Sequence, residues 1–194
     1  MKARLLILAT LAGASAHADL PVLSTPVQNA LTTIDSQPTV SEINSAFDGE
    51  DPVMALTMIV ESTSPATGAQ VGIRVSAIRD LGQLGSGHDT ILALLADSTL
   101  TTATDGSNLL VLRAAIETLG QLKVQADWKP LVDFLSHPSR DIRTSAARAL
   151  SALQSYCAIA PLRNRYQEES TDQVRFAISD ALAQLAALPP ELCN

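Results

Sequence analysis

Apolar residues recur along this chain at alternating spacings of three and four. In SRDIRTSAARALSALQ, Ser139 to Gln154, the residues Ile142, Ala146, Ala149, Leu150 and Leu153 fall at i, i+4, i+7, i+8 and i+11. At 100° per residue they form one stripe along an α-helix whose opposite face is polar. Ser139 is placed to cap that helix, and Asp141 in its first turn suits the positive end of the helix dipole. The pattern returns in IRVSAIRDLGQLG from Ile73, VLRAAIETLGQLK from Val111 and VRFAISDALAQLA from Val174. Leu81, Leu119, Leu150 and Leu182 occupy one place in the four stripes, at intervals of 38, 31 and 32 residues. The longer first interval is taken up by the threonine-rich segment before Ser107.

Each long helix has a shorter one before it. The predicted first members are Val53 to Glu61, Thr90 to Ala96, Trp128 to Leu135 and Ala158 to Tyr166; the second members are Gln70 to Leu84, Asn108 to Leu122, Arg140 to Gln154 and Asp172 to Ala187. Polar segments rich in Thr, Ser, Gly and Asp, such as Ser62 to Gly68 and Leu100 to Ser107, separate them. Two helices per period of about 30 to 35 residues mark an α-solenoid. Val27 to Ile34 and Val40 to Phe47, started by Thr25-Pro26 and Thr39, read as a helical cap on the first repeat.

The second helices follow V-R-x-x-A-A-x-x-L-G-x-L-G, matched best by Ile142-Arg143 through Leu153 and by Ile73-Arg74 through Gly85. In this the chain, over about residues 51 to 187, resembles the HEAT-like repeats in the short form of bacterial and phycobilisome lyase-type sequences. The resemblance implies an all-α protein, an α-solenoid wound as a right-handed superhelix of about four helical hairpins. It identifies a fold better than a function, because such repeats serve many roles. In the second repeat Leu112 takes the arginine place and Arg113 follows one position late.

The first eighteen residues have another character. Lys2 and Arg4 precede the apolar run Leu5 to Ala12, and Ala16-His17-Ala18 offers small residues for cleavage before Asp19, the layout of a secretory signal peptide. The run is too short for a membrane span, which needs about twenty residues, and the residue directly after the cleavage point is Asp19, not a cysteine. The expected divisions are the signal peptide 1–18, a lead-in and cap 19–50, the repeats 51–187 and a tail 188–194. The full chain carries formal charge −7; without Lys2 and Arg4, 11 basic residues face 20 acidic ones. Nucleic acid is therefore not an expected partner, and no membrane insertion is expected after cleavage. In a periplasmic or secreted setting Cys157 and Cys193 are expected to bridge, tying the tail to the start of an earlier helix, with a buried Cys157 and a frayed tail as the alternative.

Little in the sequence carries chemistry. His88 and His137 lie in different turns, and no helical His pair or Cys-x-x-Cys is present, so no metal site is expected. Gly82 to Gly87 lacks the end of a phosphate loop; the simpler reading is a helix ending at Gly85 with Asp89 in the first turn of the next. Asp105, Ser107 and Asn108 read as a turn and N-cap rather than a calcium loop. No cofactor is expected, and no set of residues points to an enzyme. Arg74, Arg143 and Arg175 recur with the repeat and are expected to bind turn carbonyls or acids such as Asp141 and Asp172.

The places opposite the stripe define the candidate surface. Counting the first stripe residue as zero, place six reads Arg79, Glu117, Arg148 and Asp180, a row of alternating sign. It is either a solvated row paired within itself or a patterned groove for a bound segment. Place two reads Val75, Arg113, Thr144 and Phe176; place nine reads Gly82, Gly120, Ser151 and Ala183, small residues expected to leave a shallow trough. Phe176 either anchors a partner or lies under the C-terminal tail, which a disulfide would favour. The expected function is a non-catalytic scaffold for another protein or peptide, bound through Arg79, Arg113, Glu117, Thr144, Arg148, Phe176 and Asp180. The alternatives are a chromophore lyase or small-molecule chaperone, suggested by the resemblance, and a purely structural spacer.

Overall fold

The structure, a computed structural model, describes residues 23–32, 37–62, 68–190 and 193. The predicted signal peptide lies outside the described residues, as does most of the Ser62 to Gly68 turn. The described residues are helical, without strands. A cap of α1 (Thr25–Leu31) and α2 (Val40–Ala46) leads into four hairpins. These pair α3 (Pro52–Glu61) with α4 (Gly68–Gln83) and α5 (His88–Ala96) with α7 (Gly106–Leu122). The third joins α8 (Trp128–Asp133), extended by a 3-10 turn, Phe134–Ser136, to α9 (Arg140–Ala152). The last joins α10 (Ile159–Glu168), entered through the 3-10 turn Tyr156–Ala158, to α11 (Asp172–Leu185). One further helix, α6 (Ser98–Thr101), stands in the threonine-rich segment that the sequence reading left as loop. It forms because Asp97 caps it, accepting from the Thr99 N–H at 2.8 Å, and because Leu100 is buried beneath α7.

The second helices form the continuous layer: α4 packs on α7, α7 on α9 and α9 on α11, while the first helices touch one another much less. The architecture is an α-solenoid of helical hairpins. Its stripes are the core, since Ile142, Ala146, Ala149, Leu150 and Leu153 are all buried, as are Leu81 and Leu119. Removing one such leucine would cost about 2–5 kcal/mol. Leu182 of the last repeat is only partly buried, because no further hairpin follows it among the described residues.

Local signals set the ends. Thr39 caps α2 in a capping box with Glu42. The helix α4 closes as expected at Gly85, which has φ +63°, with the Ser86 N–H donating to the Leu81 carbonyl. Gly87, φ +78°, starts α5 where a Cβ would come within 2.8 Å of the Leu81 side chain. Ser139 stands at the N-cap of α9, but its side chain makes no cap; its N–H donates to Nδ1 of the buried His137.

The repeated arginines bind turn carbonyls, as read from sequence. Arg74 donates to the Val60 carbonyl, Arg143 to those of His137 and Pro138, and Arg175 to those of Tyr166 and Glu169. Of the three, Arg143 also finds an acid, and it is not Asp141 or Asp172. It is Glu169, buried between hairpins and bound by Arg143 at 2.8 Å and Arg165 at 2.7 Å. Asp141 and Asp172 stay at the helix starts, where the dipole already favours them. Burial raises the Glu169 carboxyl, but the donors from Arg143, Arg165 and Thr171 outweigh it and hold the group well below the usual range. Cys157 and Cys193 form a disulfide with Cα atoms 5.4 Å apart, fixing the tail at the turn before α10.

Candidate partner-binding face

The packing of α7 on α9 shows what the places opposite the stripe do. A Cβ on Gly120, place nine of α7, would stand 2.7 Å from the Ala149 Cα; on Gly82 of α4 it would meet Thr118 and Gln121 of α7. Place nine is therefore where each second helix meets the next. The expected shallow trough is not there: small residues close the helices on each other instead of opening a groove. Ser151, also at place nine, is buried and donates to the Gln184 Oε1 of α11 at 2.9 Å.

Thr144, expected on the surface, is only 3% exposed, and its hydroxyl donates to the Arg140 carbonyl one turn back. It does not line a binding face. Place two of α9 faces the following helix, as place nine does, since seven residues are close to two full turns.

Place six divides into two halves. Glu117 is held by its own chain: Arg113 donates to it at 2.8 Å from one turn away, Ser145 of α9 at 2.9 Å, and Arg79 of α4 lies 3.9 Å off. One carboxylate thus joins three successive second helices, with 28% of its side chain exposed. The pairing also raises the Arg113 guanidinium, chiefly through its hydrogen bond to Glu117. The other half is open. Arg148 is exposed and has no hydrogen bond or ion pair among the described residues. Asp180 is exposed and accepts from Gln184 at 2.8 Å, the same amide that reaches Ser151. The structure brings Arg79, Arg113 and Glu117 together and leaves Arg148 and Asp180 to solvent.

Phe176 is 74% exposed, the most exposed large apolar residue among those described. No described residue of the tail covers it, although the disulfide has formed. Leu110 on α7, three residues before Arg113, is 52% exposed.

Two groups escaped the sequence reading. Asp80 of α4 is 2% exposed, and no partner reaches its carboxylate among the described residues. It holds place seven, where the other repeats have Thr118, Ala149 and Ala181; that mismatch was visible in the aligned repeats. Burial pushes its carboxyl up to about 7. His88, first residue of α5, has its Nε2 2.7 Å from the Asp127 carboxylate of the next repeat and its Nδ1 3.3 Å from Asp89. The bond to Asp127 raises the imidazole above its ordinary value, with burial opposing and Asp89 adding. No spacing rule joins residues 88 and 127, because the contact depends on how the hairpins stack. Among the described residues no group of three or more His, Cys, Asp or Glu side chains is placed to hold a metal ion, and no helix is long and apolar enough to cross a membrane.

No curated protein matches this chain. Residues 96–183, from the end of α5 into α11, match the family model described as HEAT repeats. Residues 96–183 are thus HEAT-like repeats, and the hairpin before them stacks on them in the same way, through its second helix and with an arginine bound to a carbonyl of its first.

Proposed function

We propose that this chain is an exported, non-catalytic scaffold that holds another protein through the solvent side of its second helices. HEAT repeats commonly mediate protein–protein interaction, and the family is generally non-catalytic. The single observation that carries the reading is the unpaired Arg148 on a ridge whose other charges are mostly satisfied within the chain. An arginine left without a partner beside Asp180 and Phe176 is a ready site for charge-assisted contact. Export is supported by the signal-like first eighteen residues, by the disulfide and by the absence of a spanning helix among those described. The site is thus Arg113, Arg148, Phe176 and Asp180, with Arg79 and Glu117 shaping the ridge and Thr144 removed from it.

Periplasmic extract passed over the immobilised mature chain tests this. Arg148→Glu is expected to weaken capture of a partner while leaving the melting temperature unchanged within error, because the wild-type side chain makes no internal bond. Equal capture by both forms would refute a role for the ridge.

A further inference from the structure

We infer that the exposed side of α11 is a vacant stacking place that receives an amphipathic helix of a partner protein as the array receives each next repeat. The inference rests on the partner-binding reading and names the kind of partner.

The preceding interfaces show what covers this side of a second helix. In α7 and α9 most places facing onward are filled by contact: Gly120 lies against the Ala149 backbone, and Thr144 and Ser151 are buried, while Arg113 of α7 stays exposed and turns to Glu117. In α11 the same places are Phe176 and Ala183, and both are exposed, as is Ala187 one turn on. The surface that buries small residues against a following helix in two repeats is thus repeated once more, uncovered among the described residues. Ala183 is no bulkier than Ser151, which is buried at the same place of α9 beside α11, so it permits the approach seen between those two helices, and Phe176 supplies an aromatic anchor.

Charge selects the occupant. Asp172 and Asp180 are exposed on α11, whereas its one cation, Arg175, is turned away onto the Tyr166 ring, 4.3 Å from the centroid, and onto carbonyls. The face is therefore negative. A second copy docked about a two-fold axis would set this face against itself, Asp180 near Asp180, which is unfavourable. A helix that presents basic side chains to Asp172 and Asp180 is the complementary occupant.

The probe is a fluorescein-labelled peptide of residues 140–154, held helical by a side-chain lactam, a repeat helix that carries three arginines against one aspartate. Anisotropy is read against the full mature chain. The wild-type peptide should bind, and a peptide carrying Arg140→Gln, Arg143→Gln and Arg148→Gln together should bind at least about tenfold more weakly. In the protein, Phe176→Ser and Ala183→Arg should each weaken binding by a similar factor with unchanged circular dichroism, while Arg163→Ala on the exposed side of α10 should not. Absence of binding at about 1 mM peptide, or binding indifferent to Ala183→Arg, overturns the inference. A concentration-dependent dimer in sedimentation velocity that Phe176→Ser abolishes overturns it in favour of a second copy. Loss of partner capture by Arg148→Glu in the chain, with no peptide binding, leaves the broader scaffold reading standing and removes this one.

Discussion

Asp80 should make the fold weaker as the solution becomes less acidic. Its carboxyl is 2% exposed, without a partner among the described residues, and raised to about 7. In the unfolded chain the group ionises near its ordinary value of 3.8. Below that pH both states are protonated and the aspartate has no ionisation cost. Between about 4 and about 7 the unfolded chain has lost its proton and the folded one has kept it, so stability falls by about 1.4 kcal/mol per pH unit. Above 7 both are ionised and the loss levels off at about 4 kcal/mol. Asp80→Asn keeps the shape and removes the titration. The variant should match the wild type at pH 4, gain progressively to pH 7 and hold a constant advantage at pH 8. Urea unfolding followed at 222 nm across this range reads the difference directly. By the register of the repeats, place seven faces the preceding helix, which for α4 is the α1–α2 cap. If the cap releases before the rest unfolds, the gain is limited to the free energy of docking it, and hydrogen exchange of α1 and α2 shows the same pH dependence. A difference between the two proteins that does not vary with pH, or a loss at every pH, would refute a buried carboxyl that keeps its proton in the fold.

Three further outcomes follow from the other buried or bridged groups. Glu169→Gln strands Arg143 and Arg165 between hairpins and should cost about 3–5 kcal/mol in chemical denaturation. Because the Glu169 carboxyl is held below its usual range, its contribution is present above the ordinary carboxylate value and lost as pH falls through the depressed one, so the variant should lose the steepest part of the wild type's acid unfolding curve. Replacing Cys157 and Cys193 together by serine opens a loop with a sequence separation of 36 and should cost about 3–4 kcal/mol on the chain-entropy model, seen as a lower melting temperature that reducing agent does not lower further. His88→Gln should destabilise more at pH 5.5 than at pH 8, since a raised imidazole stabilises the fold below its unfolded value and ceases to as pH rises through the folded one; with a third of its side chain exposed the effect is under about 1 kcal/mol in thermal melts.

The hairpins were legible because their signals are local: a 3.6-residue stripe, a cap and a glycine each act within one or two turns. Only α6 was missed, where four residues are too few to show a period. The candidate face was legible in part, for a reason the structure makes plain. A helical wheel separates the apolar stripe from the rest but treats all polar and small places alike. In a stack the places at two and nine are neither core nor solvent; they face the next helix, so Thr144 and Gly120 are buried although they lie off the stripe. Exposure there depends on the side chain as well as on a neighbour: Arg113 extends to Glu117 and stays exposed, Thr144 is covered, and Phe176, with no helix on it among the described residues, is open. The alternating row at place six fails as a uniform groove on similar grounds. Glu117 has Arg79 behind it, Arg113 one turn away and Ser145 ahead, and closes on all three. Arg148 finds neither neighbour in reach, so a periodic sequence row becomes a satisfied knot followed by an open cation. That break in the periodicity, rather than the row, is what recognition of a partner would use.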